Sequence, residues 1–397
     1  MKFVNVLFVV LLYCTHLSAQ VTLPNNLYFT HIGVEDGLCQ NTVCCILQDH
    51  LGFIWLGTKD GLTRYDGYRF RVFKHDAADP MSIGNNFIRV LYEDADGLIW
   101  IGTNVGVYIY NPETENFRKF DVATERGDVI SREVSSIKCD SSGDLWIGVN
   151  WQGVFRYDRR DESLELYEPV PGDTTSLSSV HVWDLCFDGD GNLWVGSQNG
   201  GLDRYDRETD RFVRHRLKGL SDVSRIVLDK QNQLLLGTMK DGLFSFNPYM
   251  GTCQPLLLDS GHKDLFVRAI FVRNSREVVV GTENGIYIYD CVTRKTRHVN
   301  QELGNPYSLS CKAVYSIYCD KEGALWIGTY FGGVNYLPPS SSLIFDKFYP
   351  IGHSDRLSGK AVREFVRDES GIIWIGTEDQ GLNRFDPVSG KFTHYNS

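Results

Sequence analysis

The chain has 397 residues, of which 42% are hydrophobic and 23% charged, and its 38 glycines stand against only 12 prolines. This composition is typical of a folded chain with many turns and excludes a disordered one. The formal net charge is −10, so no general attraction to nucleic acid or to an anionic membrane surface is available. We therefore expect no nucleic-acid partner, and binding of a polyanion would need a local basic patch.

The first residues carry the features of an export signal. Lys2 precedes an apolar run from Phe3 to Tyr13, and small residues suited to a signal peptidase follow at Ser18 and Ala19. The pattern predicts a signal peptide over residues 1–19 and a periplasmic mature protein. Cys14 offers a lipoprotein alternative, although Tyr13 stands where a lipid-attachment signal has a small residue. No later stretch approaches the roughly 20 apolar residues that a spanning helix needs.

Nine cysteines remain after Cys14, an odd number that is spread too widely for a disulfide scaffold. Cys139, Cys186 and Cys319 fall within apolar strand patterns, where a free thiol packs as a small hydrophobic group. The sequence leaves one or two disulfides open.

One block of sequence returns eight times, at spacings of 41 to 48 residues. It reads Asp-x-x-Gly-x-(Leu/Ile)-Trp-(Ile/Leu/Val)-Gly-Thr and continues, after a short variable loop, with Gly-(Leu/Val/Ile)-x-x-(Tyr/Phe)-Asp. The glycine after the tryptophan position recurs at Gly57, Gly102, Gly148, Gly196, Gly237, Gly281, Gly328 and Gly376. A period of this length indicates a repeat architecture.

Each repeat divides into four short strands. An apolar anchor lies six residues before the leading Asp or its equivalent and marks the innermost strand: Val43, Ile88, Val134, Val182, Val223, Val267, Val314 and Val362. The Asp-x-x-Gly segment predicts a hairpin turn, because glycine permits positive φ. The tryptophan segment is the second strand and the Gly-Leu segment the third, and stretches such as Arg211 to His215 form the fourth. No segment sustains a helical apolar period.

Four-stranded units that cannot bury both faces alone must stack on one another, and radial closure removes their exposed edges. The sequence therefore predicts an all-β fold, a β-propeller of four-stranded blades. Six tryptophans share one repeat position and are interpreted as packing between blades: Trp55, Trp100, Trp146, Trp194, Trp326 and Trp374.

The block from Asp49 to Asp66, and again from Asp368 to Asp386, resembles the two-component regulator propeller repeat. That resemblance implies the periplasmic sensor region of a hybrid two-component system, in which two seven-bladed propellers precede a β-sandwich, a membrane helix, a histidine kinase and a response regulator. It also implies a homodimer formed through downstream domains, and membrane contact only through C-terminal parts that this sequence lacks.

Eight repeats allow two closures of the ring. The segment from Asn25 to Leu38 resembles an outer strand followed by a loop, so the N-terminus is able to complete the last blade, and the segment from Ser342 to Gly352 repeats this plan. We therefore favour a seven-bladed propeller over residues 20–337, a linker over 338–342 and the first blade of a second propeller over 343–397. One eight-bladed ring is the alternative.

Function on a repeat scaffold is expected where loops depart from the repeat on one face. Second-to-third-strand loops contribute Trp151, Tyr330 and Phe331, and His181 precedes an inner strand. The position one past the anchor contributes Trp183, Tyr315, Arg89 and Arg268. Aromatic rings stack on sugar faces, and arginines hold a carboxylate or sulfate, so these eight residues are the candidate ligand site. The alternative is that they pack against neighbouring loops or another domain.

The sequence carries no catalytic or metal-binding motif, and we expect no enzyme activity, cofactor or metal. Asp188-Gly-Asp-Gly-Asn192 superficially resembles a calcium loop, but Asn199 stands where a bidentate Glu belongs, so a hairpin turn is predicted. The favoured function is a sensor for oligosaccharides released from complex polysaccharides. A propeller enzyme, such as a polysaccharide or lactone-type lyase, and a protein-interaction scaffold are the alternatives.

Overall fold

The structure is a computed structural model that describes residues 22–215, 217, 219–257, 265–339, 347–350 and 356–395. The predicted signal peptide lies outside the described residues, as does most of the segment from Ser342 to Gly352.

All eight repeats form four-stranded antiparallel sheets. The first sixteen strands are β1 (Thr30–Ile32), β2 (Val43–Gln48), β3 (Ile54–Thr58), β4 (Gly61–Tyr65), β5 (Phe70–Phe73), β6 (Ile88–Glu93), β7 (Ile99–Thr103), β8 (Gly106–Asn111), β9 (Asn116–Lys119), β10 (Val134–Cys139), β11 (Leu145–Val149), β12 (Gly153–Asp158), β13 (Ser163–Tyr167), β14 (Val182–Phe187), β15 (Leu193–Ser197) and β16 (Gly201–Asp206). The remaining sixteen are β17 (Arg211–His215), β18 (Arg225–Leu228), β19 (Leu234–Gly237), β20 (Leu243–Asn247), β21 (Thr252–Leu257), β22 (Val267–Val272), β23 (Glu277–Thr282), β24 (Gly285–Asp290), β25 (Thr296–Val299), β26 (Val314–Cys319), β27 (Leu325–Thr329), β28 (Val334–Leu337), β29 (Val362–Arg367), β30 (Ile373–Thr377), β31 (Gly381–Asp386) and β32 (Lys391–Tyr395).

The only helix in the described part is a 3₁₀ turn at Val34–Asp36. No described helix has the length and apolar character that a membrane-spanning segment requires.

Seven of the sheets close into one ring. Blades 1 to 6 follow the chain from β2 to β25, and blade 7 combines β26, β27 and β28 with the N-terminal strand β1. In that blade Thr30 pairs with Tyr336 and Ile32 with Val334. The innermost strands contact one another in sequence, and β26 of blade 7 contacts β2 of blade 1. The predicted seven-bladed closure, with an outer strand from the N-terminus, is confirmed.

The repeated glycine packs each blade on the next. A Cβ added to Gly102 would lie 2.6 Å from Val134 Cγ1, and one added to Gly328 would lie 2.8 Å from Val43 O across the closure of the ring. Glycine therefore lets neighbouring sheets approach where a side chain would collide. The seven ring anchors are each 0% exposed, whereas the eighth anchor, Val362, is 45% exposed.

The five repeated tryptophans of the ring pack in the cores between blades, as predicted, and also fix the hairpin turn of their own blade. For Trp374 the prediction is not met, because this half-buried side chain belongs to the eighth sheet, which has no neighbouring blade in the described part of the chain. Trp194 is 1% exposed, and its Nε1 donates a hydrogen bond to Asp188 Oδ2 at 2.8 Å. The same bond recurs for all six tryptophans, at 2.7 to 3.2 Å. The second carboxylate oxygen of Asp188 accepts backbone N–H groups of the turn. The carboxylate of the leading Asp thus links the hairpin turn to the tryptophan in the core.

The eighth sheet, β29 to β32, stands outside the ring. All six residues of its inner strand β29 are exposed, and a Cβ on Gly376 would meet nothing closer than Glu364 O of its own sheet, at 3.8 Å. Its small core contains Phe385 and Phe392, against which Phe348 packs. This sheet has no neighbouring blade in the described part of the chain.

All nine cysteines after Cys14 are free thiols, so the described residues contain no disulfide. Cys139, Cys186 and Cys319 lie in inner strands, as their apolar surroundings predict.

Candidate functional site

The second-to-third-strand loops and the starts of the inner strands meet at one end of the ring, which we call the upper face. In blade 1 the backbone N–H of Lys59 donates to Thr42 O at 3.2 Å, one residue before the anchor. In blade 7 the N–H of Tyr330 donates to Ala313 O at 3.0 Å in the same way. Residues that differ from the repeat at these positions therefore all lie on the upper face of the propeller.

A cavity of about 190 Å³ opens on this face along the ring axis. We call it the axial cavity. Residues one past the anchor line it in six of the seven blades: Cys44, Arg89, Ser135, Trp183, Arg268 and Tyr315. Its other lining residues are Lys59, Phe87, Glu133, Val134 and Arg225. Four of the eight candidate residues, Trp183, Tyr315, Arg89 and Arg268, therefore share one cavity.

Blade 5 supplies the exception. Its residue one past the anchor, Ser224, turns between blades and donates to Val267 O at 2.8 Å. The following residue, Arg225, lines the cavity instead, and its Nη1 donates to Ser224 O at 2.7 Å.

Two further candidates continue the cavity wall outward. The Tyr330 ring lies 5.1 Å from that of Tyr315 and 4.1 Å from that of Phe331, measured between ring centres. Lys59 Nζ lies 4.2 Å from the centre of the Tyr330 ring, within cation–π range. Phe331 is 68% exposed, so this aromatic stack leads from the cavity into solvent.

The last two candidates form a second rim element. Trp151 and His181 contact edge to face, with ring centres 4.0 Å apart, and His181 Nδ1 lies 3.2 Å from Asn150 Oδ1. Neither residue lines the axial cavity. They lie beside it, because the backbone N–H of Asn150 donates to the carbonyl of Glu133, a lining residue. Trp151 is 65% exposed and holds a left-handed backbone, with φ of 69°.

Both predicted arginines already have carboxylate partners. Arg89 pairs with Glu133 at 3.2 Å and donates to Asn104 Oδ1 at 2.7 Å. Arg268 donates Nε and Nη2 to the same oxygen of Glu283, each at 2.6 Å, and stacks over Phe266. Their ion pairs fix both guanidinium groups at the cavity wall.

The cavity is electropositive. Burial lowers the pKa of Arg225, while Asp184 opposes that effect and Arg268 and Arg89 add to it. Burial raises the pKa of the Cys44 thiol to about 11, although Arg89, Lys59, Arg268 and Arg225 each pull it down. All four cations are thus close enough to act on one thiol at the cavity wall.

Seven lining residues were not among the candidates from the sequence: Cys44, Lys59, Phe87, Glu133, Val134, Ser135 and Arg225. A comparison two residues past the anchor gives a signal for one of them, because the ring has only two charged residues there, Asp184 and Arg225.

Among the described residues, no group of three or more His, Cys, Asp or Glu is arranged to hold a metal ion. The segment from Asp188 to Asn192 is a hairpin turn, as predicted, with its amides bonded to the Asp188 carboxylate.

The sequence of the blades matches a known repeat. A family model described as "Two component regulator propeller" matches residues 37–60, 82–105, 176–199 and 308–331. Each match covers the two inner strands of one blade, in blades 1, 2, 4 and 7. Four blades of the ring therefore carry the two-component regulator propeller repeat.

Proteins similar to this chain include extracellular domains of putative hybrid two-component systems and a histidine kinase. It is 28% identical to the extracellular domain of a putative hybrid two-component system from B. thetaiotaomicron, with a TM-score of 0.78 over 94% of this chain and 49% of that one. A second such domain from the same organism shares the fold at 20% identity, with a TM-score of 0.68 over 93% of this chain and 53% of the other. A histidine kinase of Formosa agariphila is 39% identical over 59 residues, which are 15% of this chain and 4% of the kinase.

The propeller chain thus spans about half the length of these solved extracellular domains and a small part of the kinase.

Proposed function

We propose that this chain is the ligand-binding sensor region of a hybrid two-component system and that it recognises oligosaccharides released from complex polysaccharides. The observation that carries the proposal is the gathering of irregular aromatic and charged residues around the axial cavity of an otherwise regular ring. The similarity to an extracellular domain of a putative hybrid two-component system supports the sensory role.

The upper face offers the contacts that sugars need. Trp151 and Phe331 present large, exposed rings beside a polar cavity, and such rings pack on the apolar faces of pyranose units. The left-handed backbone of Trp151 is unfavourable for a bulky side chain. Its loop nevertheless holds the conformation, with Trp151 N donating to Val180 O at 2.9 Å, which keeps the indole at the rim.

Titration calorimetry against a panel of oligosaccharides tests this proposal. We expect at least one to bind, and Trp151→Ala to weaken that binding at least tenfold while leaving the unfolding midpoint unchanged. Tyr68→Ala is the matched control, since Tyr68 is 93% exposed in a third-to-fourth-strand turn at the opposite end of the ring. Heat from no member of the panel, or equal losses in both variants, would contradict the proposal.

In the proposed mechanism the chain is periplasmic, catalyses no reaction itself, and passes the binding signal to a downstream kinase through a homodimer. The ring glycines pack closely against the apolar anchors of the next blade, so neighbouring blades move together as rigid bodies. Such a body suits the transmission of a small ligand-induced shift from the upper face to the downstream domains. Sedimentation of a chain extended through the downstream extracellular domains, with and without the ligand found by calorimetry, tests the dimer. A monomer in both states would contradict it.

We also propose that the eighth sheet is the first blade of a second propeller. Phe365 and Val366 in its inner strand are 76% and 63% exposed, which is the surface that a following blade would cover. A chain that ends at residue 339 should keep the unfolding midpoint of the ring. A large fall in that midpoint would indicate that the eighth sheet belongs to the first ring.

A further inference from the structure

We infer that the axial cavity receives an acidic group, a carboxylate or sulfate carried by a sugar unit, and that Arg225 and Lys59 are its principal ligands. This inference rests on the proposed function, and it names the chemical class of the ligand.

The charge balance of the cavity supplies the first argument. Lys59, Arg89, Arg225 and Arg268 contribute four positive charges, and only Arg89 and Arg268 have carboxylate partners, Glu133 and Glu283. Within the described part of the chain, neither Lys59 nor Arg225 has a carboxylate oxygen within 4.0 Å, and the carboxylate whose charge acts on Arg225, Asp184, lies beyond that distance. Cationic groups in a partly enclosed site attract a counter-charge strongly, because the surrounding protein screens them less than water does.

The free donors supply the second argument. A guanidinium carries five N–H groups, and the described contacts of Arg225 use Nη1 alone, toward Ser224 O. The indole Nε1 of Trp183 is buried and has no hydrogen-bond partner among the described residues. A buried donor without a partner is costly, so an oxygen-rich ligand that accepts from Trp183 would remove that cost. Carboxylate and sulfate oxygens are also the natural acceptors for a guanidinium fork.

The volume of the cavity limits the size of the group that binds inside it. About 190 Å³ is smaller than the roughly 300 Å³ at which pockets for drug-sized ligands begin, so the cavity admits one substituted sugar unit and not a whole oligosaccharide. The remaining units would lie over Tyr330 and Phe331, whose stacked rings continue from Tyr315 at the cavity wall.

Binding of small probes tests the cavity separately from the rim. We would titrate the chain with glucuronate, with glucose 6-sulfate and with glucose at constant ionic strength, using calorimetry and the fluorescence of the tryptophans. We expect at least one acidic sugar to bind at least tenfold more tightly than glucose. Arg225→Gln should weaken that binding by about 10- to 100-fold, the usual range for a lost charge-assisted hydrogen bond.

Two variants complete the design. Arg363→Gln is the matched control, because Arg363 occupies the position one past the anchor in the eighth sheet, outside the ring. Lys59→Gln provides a second cation change in case Arg225→Gln fails to fold, and thermal unfolding without ligand reports on folding. The carboxylate and sulfate probes show which acid the cavity prefers.

The outcomes separate this inference from the proposed function. Equal affinity for glucose and both acidic sugars, or affinity unchanged in both cation variants, overturns the inference. If neutral oligosaccharides still bind and depend on Trp151, the proposed function stands without it. Acidic sugars that bind through Arg225, with no oligosaccharide binding through Trp151, support the cavity site and count against the rim.

Discussion

Replacing Asp203 by Asn should stabilise the protein at neutral pH and do so less at acidic pH. Asp203 lies in the third strand of blade 4 with 0% exposure. Its Oδ2 accepts hydrogen bonds from Ser178 N at 2.9 Å and from Ser178 Oγ at 2.6 Å, whereas Oδ1 has no partner among the described residues. A buried carboxylate with one free oxygen favours the protonated form.

The repeat shows which side chain suits this position. Asn335 occupies it in blade 7, where its Oδ1 accepts from Ser310 N at 2.8 Å and its Nδ2 donates to Ser310 Oγ and to Ile327 O. Val195 faces Asp203 across the strands as Ile327 faces Asn335. An amide at position 203 would thus keep the bond to Ser178 N and gain a donor toward the carbonyl of Val195.

The pKa of Asp203 gives the magnitude. Burial raises it from 3.8 to about 6, against the opposing effects of the Ser178 hydrogen bonds and the Arg214 charge. Because the folded state holds the proton more tightly than the unfolded chain, protonation stabilises the fold. That contribution is complete below about pH 4 and is lost as the pH rises through about 6. The loss amounts to about 3 kcal/mol at pH 7.5 and about 1 kcal/mol at pH 4.5.

Urea unfolding of the wild type and Asp203→Asn at both pH values measures this difference. Comparison at each pH cancels the titration of all other groups, so the variant should gain about 3 kcal/mol at pH 7.5 and about 1 kcal/mol at pH 4.5. Asn335→Asp is the matched control and should lose stability, with the larger loss at pH 7.5. A difference between wild type and Asp203→Asn that does not change with pH would refute the reasoning.

Two further predictions concern closure of the ring. Gly102→Ala should lower the free energy of unfolding by about 1 to 3 kcal/mol, because its Cβ would collide with Val134 of the next blade. Gly376→Ala is the control and should have little effect, because its surroundings are open. Equal shifts of the denaturation midpoint in the two variants would contradict the packing role of the ring glycines. Deleting residues 22–32 removes β1 and the buried side chain of Phe29. The denaturation midpoint should therefore fall, and limited proteolysis should begin in blade 7. An unchanged midpoint would show that blade 7 closes without β1.

Much of the candidate site was accessible from sequence, because a repeat makes each departure visible. The position one past the anchor identified Trp183, Tyr315, Arg89 and Arg268, and the structure places all four on the axial cavity. From this position in the repeat, the two arginines are predicted to hold a ligand. Each has a carboxylate partner: Arg268 pairs with Glu283 of its own blade, and Arg89 with Glu133 at the start of the next blade. These pairings depend on side-chain direction and distance and not on spacing along the chain. Arg225 was not predicted because Ser224, the residue one past the anchor in blade 5, bonds to the neighbouring blade. The residue after it, Arg225, lines the cavity in its place.

The one-dimensional pattern determined the fold class, the four strands of each blade and the packing role of the repeated tryptophans, since period, turn glycines and apolar alternation are local and recur in every unit. Tertiary structure alone decided how many blades share the ring. The N-terminal strand lies against β28, and Gly328 meets the backbone of Val43, so the circle closes at seven and leaves Val362 uncovered. Every repeat has the same glycine and apolar anchor for packing on a neighbouring blade. Only the geometry of the stacked sheets determines which blade meets the first one and closes the ring.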